Sequence, residues 1–277
     1  MLNLILAIAS SALISILMRV SEKYSRNRLS MLAMNYLMCA AMAWLNVGSL
    51  DPFSGAEGAM RTVGFGAVCG VLFLAGFVLL QWNIRKNGVV LPATFMKLGV
   101  LVPTVMAIAV FGELPKATQI LGIAAAICAI FLIQGRGKQA AGSVGGLVAL
   151  MLAGGLADAM SKVYEQFGDT ALSEQYLLFT FATALVLCSV MCIGKKQKLA
   201  IADVLFGAAV GVPNYLSSKF LLLSLSSVPA VAAYPTFSVG TIVLVTAAGV
   251  LLFKEKLEKR KLIALGVILV ALALLNI

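Results

Sequence analysis

The chain has 277 residues, of which 61% are hydrophobic and 12% are charged, and its formal net charge is +10. Soluble globular proteins are about 45–50% apolar and about 25% charged, and a chain this apolar cannot hide its nonpolar surface inside one water-soluble core. These numbers argue against a soluble enzyme, a disordered chain and a secreted disulfide scaffold. They predict a protein whose main solvent is lipid, in which excess positive charge marks cytoplasmic loops rather than a nucleic-acid partner.

Ten apolar segments follow one another along the chain, each close to the roughly 20 residues that a bilayer-crossing helix needs. They are residues 2–20, 30–47, 62–82, 89–111, 117–134, 144–163, 172–193, 203–225, 229–253 and 261–276. In lipid, segments this short satisfy their own backbone N–H and C=O groups only as helices. The sequence therefore predicts an all-α integral membrane protein with ten transmembrane helices.

The chain repeats itself at about half its length. Three pairs stand in register at offsets of about 143 residues: RVSEKYS (19–25) with KVYEQFG (162–168), FGE (111–113) with FKE (253–255), and Pro92 with Pro235. They predict two five-helix repeats, residues 1–136 and 143–277. Because five is odd, the second repeat enters the membrane the other way up, which is the usual architecture of secondary transporters.

The basic residues predict the orientation in the membrane. Sixteen of the 21 lysines and arginines lie in, or at the edge of, the connections between spans 1–2, 3–4, 5–6, 7–8 and 9–10. The positive-inside rule then places these loops in the cytoplasm and both termini outside. We expect a multi-pass protein of the cell inner membrane.

Two stretches resemble a known family. FGELPKATQILGIAAAICAIFLI (111–133), together with residues 227–275, is similar to the EamA-type repeats of the drug/metabolite transporter superfamily. The matching positions are Glu113, Glu255, Gly122 and Gly266, with Arg19 and Lys162 at the basic residue that often ends helices one and six. Lys254 stands where a glycine is common. The resemblance implies that helices five and ten are peripheral and that the other eight line the transport path.

Three ionisable residues lie inside predicted spans: Lys97, Asp158 and Lys219. Each such group costs at least about 2.5–3.5 kcal/mol at the bilayer centre, so none faces lipid comfortably. One interpretation is a water-filled cationic cavity that binds a carboxylate or a phosphate. The alternative is snorkelling or a structural ion pair, and Lys162 stands four residues after Asp158, where it can pair with it.

Five polar or aromatic residues complete the candidate substrate site: Asn214, Tyr215, Tyr234, Gln81 and Trp82. Tyr215 and Lys219 share a helix face. Pro213 frees a backbone carbonyl, as do the broken helices that line transporter cavities. We expect Tyr215 and Tyr234 to face the cavity, whereas the position of Trp82 at a span end favours an interfacial aromatic belt.

The sequence has no Gly-rich phosphate loop, nucleophile constellation or metal-ligand cluster, so we expect neither an enzyme nor a bound cofactor or metal. We predict a secondary transporter that moves a small polar metabolite, anionic or zwitterionic and amino-acid-like, by rocking of the two halves. A gradient drives it, with a coupling proton or ion as a further partner. Two glycine pairs at GxxxG spacing, Gly66/Gly70 and Gly207/Gly211, serve packing within a monomer or a homodimer contact.

Two other functions remain open. A multidrug exporter for lipophilic cations is expected to use a deep carboxylate with few deep cations, whereas here two lysines accompany one aspartate. A subunit of a lipid or polyprenyl-carrier flippase requires an apolar lateral groove with basic residues at its mouth.

Overall fold

In a computed structural model of the chain, the described residues are 1–47, 58–87, 90–134, 144–197, 199–254 and 259–276. They form eleven α-helices and one short 3-10 helix, Thr170–Leu172, and within these ranges there is no β-strand. The α-helices are α1 (Leu2–Ser21), α2 (Arg28–Val47), α3 (Ala59–Asn87), α4 (Val90–Leu98), α5 (Leu101–Ala109), α6 (Ala117–Gln134), α7 (Val144–Phe167), α8 (Ser173–Gly194), α9 (Ile201–Leu225), α10 (Ala230–Phe253) and α11 (Lys259–Leu275).

The prediction of an all-α membrane protein is confirmed. Six of the described helical segments are long and apolar enough to cross a membrane, namely α1, α2, α3, α7, α10 and the stretch Thr170–Gly194 that contains α8. Nine of the ten predicted spans coincide with one helix each, to within five residues at either end. The inverted relation between the two halves, and the division at 1–136 and 143–277, stay predictions.

The span predicted over residues 89–111 is divided into α4 and α5 by a two-residue turn at Gly99 and Val100. Pro103 lacks the N–H that would bond to the Gly99 carbonyl in a continuous helix. That carbonyl accepts the N–H of Val102 at 2.9 Å instead. By contrast, α9 runs through Pro213 and α10 runs through Pro235 as single helices, so the helix break lies at Gly99–Val100 and not at Pro213.

The chain forms two compact units, each built from segments of both sequence halves. The α2–α8 unit comprises residues 2–74 and 163–223, and the α6–α11 unit comprises Met1, residues 75–162 and residues 224–277. Each is named after the two helices that pack most extensively within it.

Small residues let the helices of the α2–α8 unit approach closely. A Cβ atom added at Gly70 of α3 would lie 2.4 Å from the carbonyl oxygen of Thr180 in α8. One added at Gly211 of α9 would lie 2.8 Å from the carbonyl oxygen of Asn35 in α2. Both GxxxG pairs are therefore used for packing between neighbouring helices of the same chain.

The α6–α11 unit has a core of small and branched side chains. Ala126 and Ala129 of α6 pack with Ile268 and Ala271 of α11 and with Val239 of α10. A Cβ atom on Gly122 would lie 3.2 Å from the carbonyl oxygen of Ala271. The close contact of α6 with α11 thus depends on the glycine that the family resemblance singled out.

Two loop positions share an uncommon backbone conformation. Gly112, after α5, has φ +67°, and Lys254, after α10, has φ +54°. Lys254 ends α10 in the left-handed region and its N–H bonds to the carbonyl of Gly249. This geometry explains why glycine is favoured at this position, since it lacks the Cβ atom that disfavours positive φ. Glu255 lies outside the described residues.

Candidate functional site

The helix break brings two of the predicted site residues together in the α6–α11 unit. Lys97, in the last turn of α4, and Asp158, in α7, lie within electrostatic range of each other. Lys97 stands seven residues after the start of α4 and twelve before the end of α5, so it lies near the middle of the span. Within the described part of the chain, neither the ammonium group nor the carboxylate makes a hydrogen bond.

The surroundings of Asp158 differ from those of its neighbours. Its side chain is exposed, whereas Ala157 and Ala159 on either side are buried. Lys97 is half-buried. Lys97 can therefore still donate hydrogen bonds, and the Asp158 carboxylate can still accept them, because no described protein group is bonded to either.

Glycines hold the break against α7. A Cβ atom on Gly155 would lie 2.4 Å from the carbonyl oxygen of Gly99 and 2.6 Å from the Cβ of Val102. Only the absence of a side chain at residue 155 permits this approach. Gly154, one residue earlier, has no heavy atom within 4 Å of such a Cβ, so the tight contact with the break is made at Gly155 and not at Gly154.

Tyr234 joins α10 to the same part of α7. Its side chain is 2% exposed, and its hydroxyl donates to the backbone carbonyl of Asp158 at 2.9 Å. The structure thus brings Lys97, Asp158 and Tyr234 into one neighbourhood. The Tyr234 hydroxyl positions the backbone that carries the Asp158 carboxylate.

Lys219 and Tyr215 belong to a second group, in the α2–α8 unit. The Lys219 Nζ atom lies 2.5 Å from Glu174 Oε1 and donates to Asn46 Oδ1 at 3.1 Å and to the Tyr215 hydroxyl at 3.3 Å. The Tyr215 hydroxyl donates to Glu174 Oε2 at 2.6 Å. We call Lys219, Glu174, Tyr215 and Asn46 the Lys219 cluster.

The Lys219 cluster lies at helix ends. Glu174 is in the first turn of α8, Asn46 is in the last turn of α2, and Lys219 is six residues before the end of α9. Its geometry matches the structural-pair alternative for Lys219. A binding role for Lys219 and Tyr215 stays a prediction.

The three other predicted site residues have separate surroundings. Asn214 donates to Asn35 Oδ1 of α2 at 3.2 Å. Trp82 is 39% exposed, its ring lies under the Lys86 ammonium at 4.2 Å, and it packs against Gly146 of α7. This position near the end of α3 suits an interfacial residue. Gln81 is partly exposed beside it.

One ion pair replaces a contact that the sequence suggested. Lys162, which stands four residues after Asp158, has its Nζ atom 3.1 Å from Glu113 Oε1, and both side chains are largely buried. Glu113 Oε2 also accepts the backbone N–H of Val231 at the start of α10 at 2.8 Å. Glu113 therefore caps α10 and engages Lys162, while the cation that acts on the Asp158 carboxyl is Lys97.

Sequence reasoning missed Glu174 and Asn46, because their partner Lys219 lies far away along the chain. The available signal was Glu174, an acidic residue at the start of the predicted span 172–193, because a lysine inside another span, such as Lys219, needs an acidic partner. Within the ranges that the structure describes, no group of three or more His, Cys, Asp or Glu side chains is placed to hold a metal ion.

Comparisons with known sequences show a transporter family and a bacterial protein to which the chain is similar. A model of the family described as Small Multidrug Resistance protein matches residues 175–268, from α8 into α11. An uncharacterized protein of Haemophilus influenzae is 23% identical over 273 residues, covering 93% of this chain and 91% of that protein.

A solved structure described as "Crystal structure of protein" superposes with a TM-score of 0.79 at 11% identity. The similarity covers 99% of this chain and 96% of the other, so the two share a fold over nearly their whole lengths. The Small Multidrug Resistance family belongs to the drug/metabolite transporter clan, and the match of its model to residues 175–268 supports a multi-pass membrane transporter.

Proposed function

We propose that this protein is a secondary transporter of the EamA type that moves a small polar solute, anionic or zwitterionic, by alternating access. The observation that carries this proposal is the pair Lys97 and Asp158 beside the interrupted helix α4–α5. Interrupted helices at mid-membrane form the binding sites of many secondary transporters, because they expose backbone groups where a polar solute needs partners.

The exposure of Asp158 supports a polar cavity at this depth. An exposed carboxylate in the middle of an apolar helix faces either lipid or a water-filled space, and lipid contact costs several kcal/mol. With Lys97 acting on it, the site offers one cation and one carboxylate. A solute with a carboxylate binds the Lys97 ammonium group, and a solute that also carries an ammonium group binds Asp158.

Energy for transport comes from a gradient in this proposal. Asp158 is the acidic side chain at mid-helix depth in the described ranges, so it is the group that exchanges a coupling proton or ion as the solute moves. The cell inner membrane is the proposed location, with the basic loops in the cytoplasm and both termini outside. In this orientation a C-terminal alkaline phosphatase fusion is expected to be active in the periplasm. An inactive fusion would show that the C-terminus lies in the cytoplasm and would contradict the orientation.

Two features support the inverted repeat. The offset of about 143 residues relates α2 to α8 and α6 to α11, and these are the pairs that pack together most extensively in their units. It also relates Gly112 to Lys254, which share a left-handed backbone conformation. A pseudo-two-fold axis brings equivalent helices side by side, which accounts for both features.

The test is a thermal-shift screen of the purified protein against amino acids, organic acids, nucleosides and quaternary amines. A ligand at 100 times its dissociation constant stabilises the folded state by about 2.7 kcal/mol, so a bound solute gives a measurable shift. We expect a hit among amino acids or organic acids that is lost in D158N or K97Q. The matched control is E22Q, which removes a carboxylate from the exposed pair with Arg28.

A second candidate is export of lipophilic cations, and the match to the Small Multidrug Resistance family over residues 175–268 favours it. The two candidates differ in what Lys97 does. Removing this cation weakens the binding of an anion or a zwitterion and strengthens the binding of a lipophilic cation. A quaternary-amine hit whose affinity rises in K97Q would replace the first proposal with the second.

A further inference from the structure

An apolar groove follows the outer side of α2 and α8 in the α2–α8 unit. It has a volume of about 570 Å³ and is lined by residues from Ser30 to Leu37 of α2 and from Leu185 to Ile193 of α8, with Gln197 at one end. Several of its large side chains are exposed: Leu37 by 45%, Val186 by 60%, Val190 by 61% and Ile193 by 77%. In a membrane these side chains contact lipid.

The length of the groove matches one leaflet. The lining segment of α8 has nine residues, Leu185 to Ile193, so its ends lie about 12 Å apart at 1.5 Å per residue. The hydrocarbon core of a bilayer is about 30 Å thick, so the groove runs through most of one leaflet. It begins at the end of α8, where the chain leaves the apolar span.

Basic side chains stand at that end of the groove. Lys195 and Lys196 lie in the turn after α8, between the lining residues Ile193 and Gln197, and both are exposed. The turn is fixed by backbone bonds from Lys195 N to Met191 O at 3.1 Å and from Gln197 N to Cys192 O at 3.0 Å. The backbone of the turn that carries the two lysines is therefore fixed at the end of the groove.

The α1–α2 connection adds two more cations. Asn27 hydrogen-bonds through its side-chain amide to the groove residue Gln197, and its chain neighbours Arg26 and Arg28 are exposed. Buried Asp203 holds this connection in place by accepting the backbone N–H of Arg26 at 2.9 Å. Arg28 pairs with Glu22 at 3.5 Å, which leaves a net positive charge at the mouth.

We propose that this groove binds an anionic phospholipid, with an acyl chain between α2 and α8 and the phosphate headgroup at Lys195, Lys196 and Arg26. The groove supplies the apolar contact area, and the cations select a negatively charged headgroup over a zwitterionic one. In the proposed orientation the lipid comes from the cytoplasmic leaflet, whose surface is anionic.

The same charges argue against a second copy of the chain as the occupant. A two-fold dimer through this groove would bring the same patch of each copy together, and like charges facing each other across an interface are unfavourable. An anionic lipid headgroup is attracted by the same basic side chains that would repel a second copy. The lipid site is independent of transport, so it can fail without affecting the proposed function.

The test is native mass spectrometry of the detergent-purified protein with phosphatidylglycerol and phosphatidylcholine of matched acyl chains. We expect the wild type to prefer phosphatidylglycerol. Each basic residue near an anionic headgroup contributes about fivefold, so K195Q/K196Q is expected to bind phosphatidylglycerol roughly 30-fold more weakly and phosphatidylcholine unchanged. The matched control is R85Q/K86Q, which removes two exposed basic residues of α3 in the α6–α11 unit.

A second variant fills the groove without touching its charges. Val190→Trp places a large side chain at an exposed position, and it is expected to lower the binding of both lipids. Equal binding of the two lipids by the wild type, or an equal loss in R85Q/K86Q, would overturn the proposal. A lipid-free dimer that dissociates on Val190→Trp would assign the groove to a second copy and overturn it as well.

Discussion

Two lysines that look alike in the sequence have opposite surroundings in the fold. Lys219 forms an ion pair with Glu174 and hydrogen bonds with Tyr215 and Asn46. Lys97 interacts electrostatically with Asp158, and within the described residues its ammonium group makes no hydrogen bond. The first lies near helix ends and the second lies at mid-span beside a break in its helix.

The difference separates two reasons for placing a cation in an apolar helix. A lysine that is fully partnered within the chain has a structural role, because removing it leaves its partner's charge unpaired. A lysine with unused donors is ready to bind something that the chain does not contain. We therefore propose that Lys97 with Asp158 binds the substrate and that the Lys219 cluster has a structural role.

The largest expected effect concerns transport. Asp158→Asn removes the charge of the carboxylate at the helix break while keeping its shape. Because hydrogen bonds to charged groups contribute about 1.5–3 kcal/mol, we expect transport in proteoliposomes to fall about 10- to 100-fold with the folded yield unchanged. The control E22Q should transport like the wild type. Full activity in D158N would remove Asp158 from the site.

The next effect concerns stability, for which Lys219 is expected to matter more than Lys97. Lys219→Gln leaves Glu174 without its cation. Breaking a fully buried pair costs about 3–5 kcal/mol, and because side chains about one-fifth exposed (23% and 21%) are partly screened, we expect about 1–3 kcal/mol. K97Q should lose less stability than K219Q, because the Lys97 ammonium group makes no hydrogen bond within the described residues, and the double variant K219Q/E174Q should recover part of the loss. A larger loss in K97Q would contradict the division.

The close contact at the helix break gives a prediction with a neighbouring control. Gly155→Ala drives a methyl group into the Gly99 carbonyl, and overpacking of this kind costs about 1–3 kcal/mol. Gly154→Ala meets open space and should stabilise the helix by about 0.5–1 kcal/mol. Thermal unfolding of both variants in the same detergent measures the difference. If both variants behave alike, α7 does not pack against the break.

The smallest effect concerns Tyr215, which the sequence suggested as a cavity residue. Tyr215→Phe removes the hydroxyl that bonds to Glu174 and Lys219 without changing the ring. We expect a loss of about 1 kcal/mol in the free energy of unfolding and no change in ligand affinity. The control is Tyr24→Phe at an exposed position. A weakened ligand affinity in Y215F would return Tyr215 to the binding site.

Apolar runs between charged loops predicted the helices because length and composition alone decide what crosses a membrane. They did not predict the break between α4 and α5, because glycine and proline are frequent in membrane helices. Gly99 followed by Pro103 four residues later was the available signal. Pro213, which has no such glycine four residues before it, leaves α9 continuous.

Charges were harder to interpret than helices, because their partners are distant in the sequence. The spacing of Asp158 and Lys162 suggested a pair on one helix face, yet Lys162 binds Glu113, which also caps α10. A partner that satisfies two groups at once outweighs the few tenths of a kcal/mol that a pair at this spacing provides. Such competition is decided by tertiary contacts and is invisible in local spacing.

The most direct test of the central claim is to measure, side by side, the affinities of K97Q and K219Q for the solute identified by the thermal-shift screen. Isothermal titration calorimetry on both purified variants, after size-exclusion chromatography has shown that each is folded, gives the two dissociation constants. We predict that K97Q binds at least about tenfold more weakly than the wild type and that K219Q binds with the wild-type affinity. Equal losses in the two variants, or a loss confined to K219Q, would contradict the assignment of the binding site to the helix break.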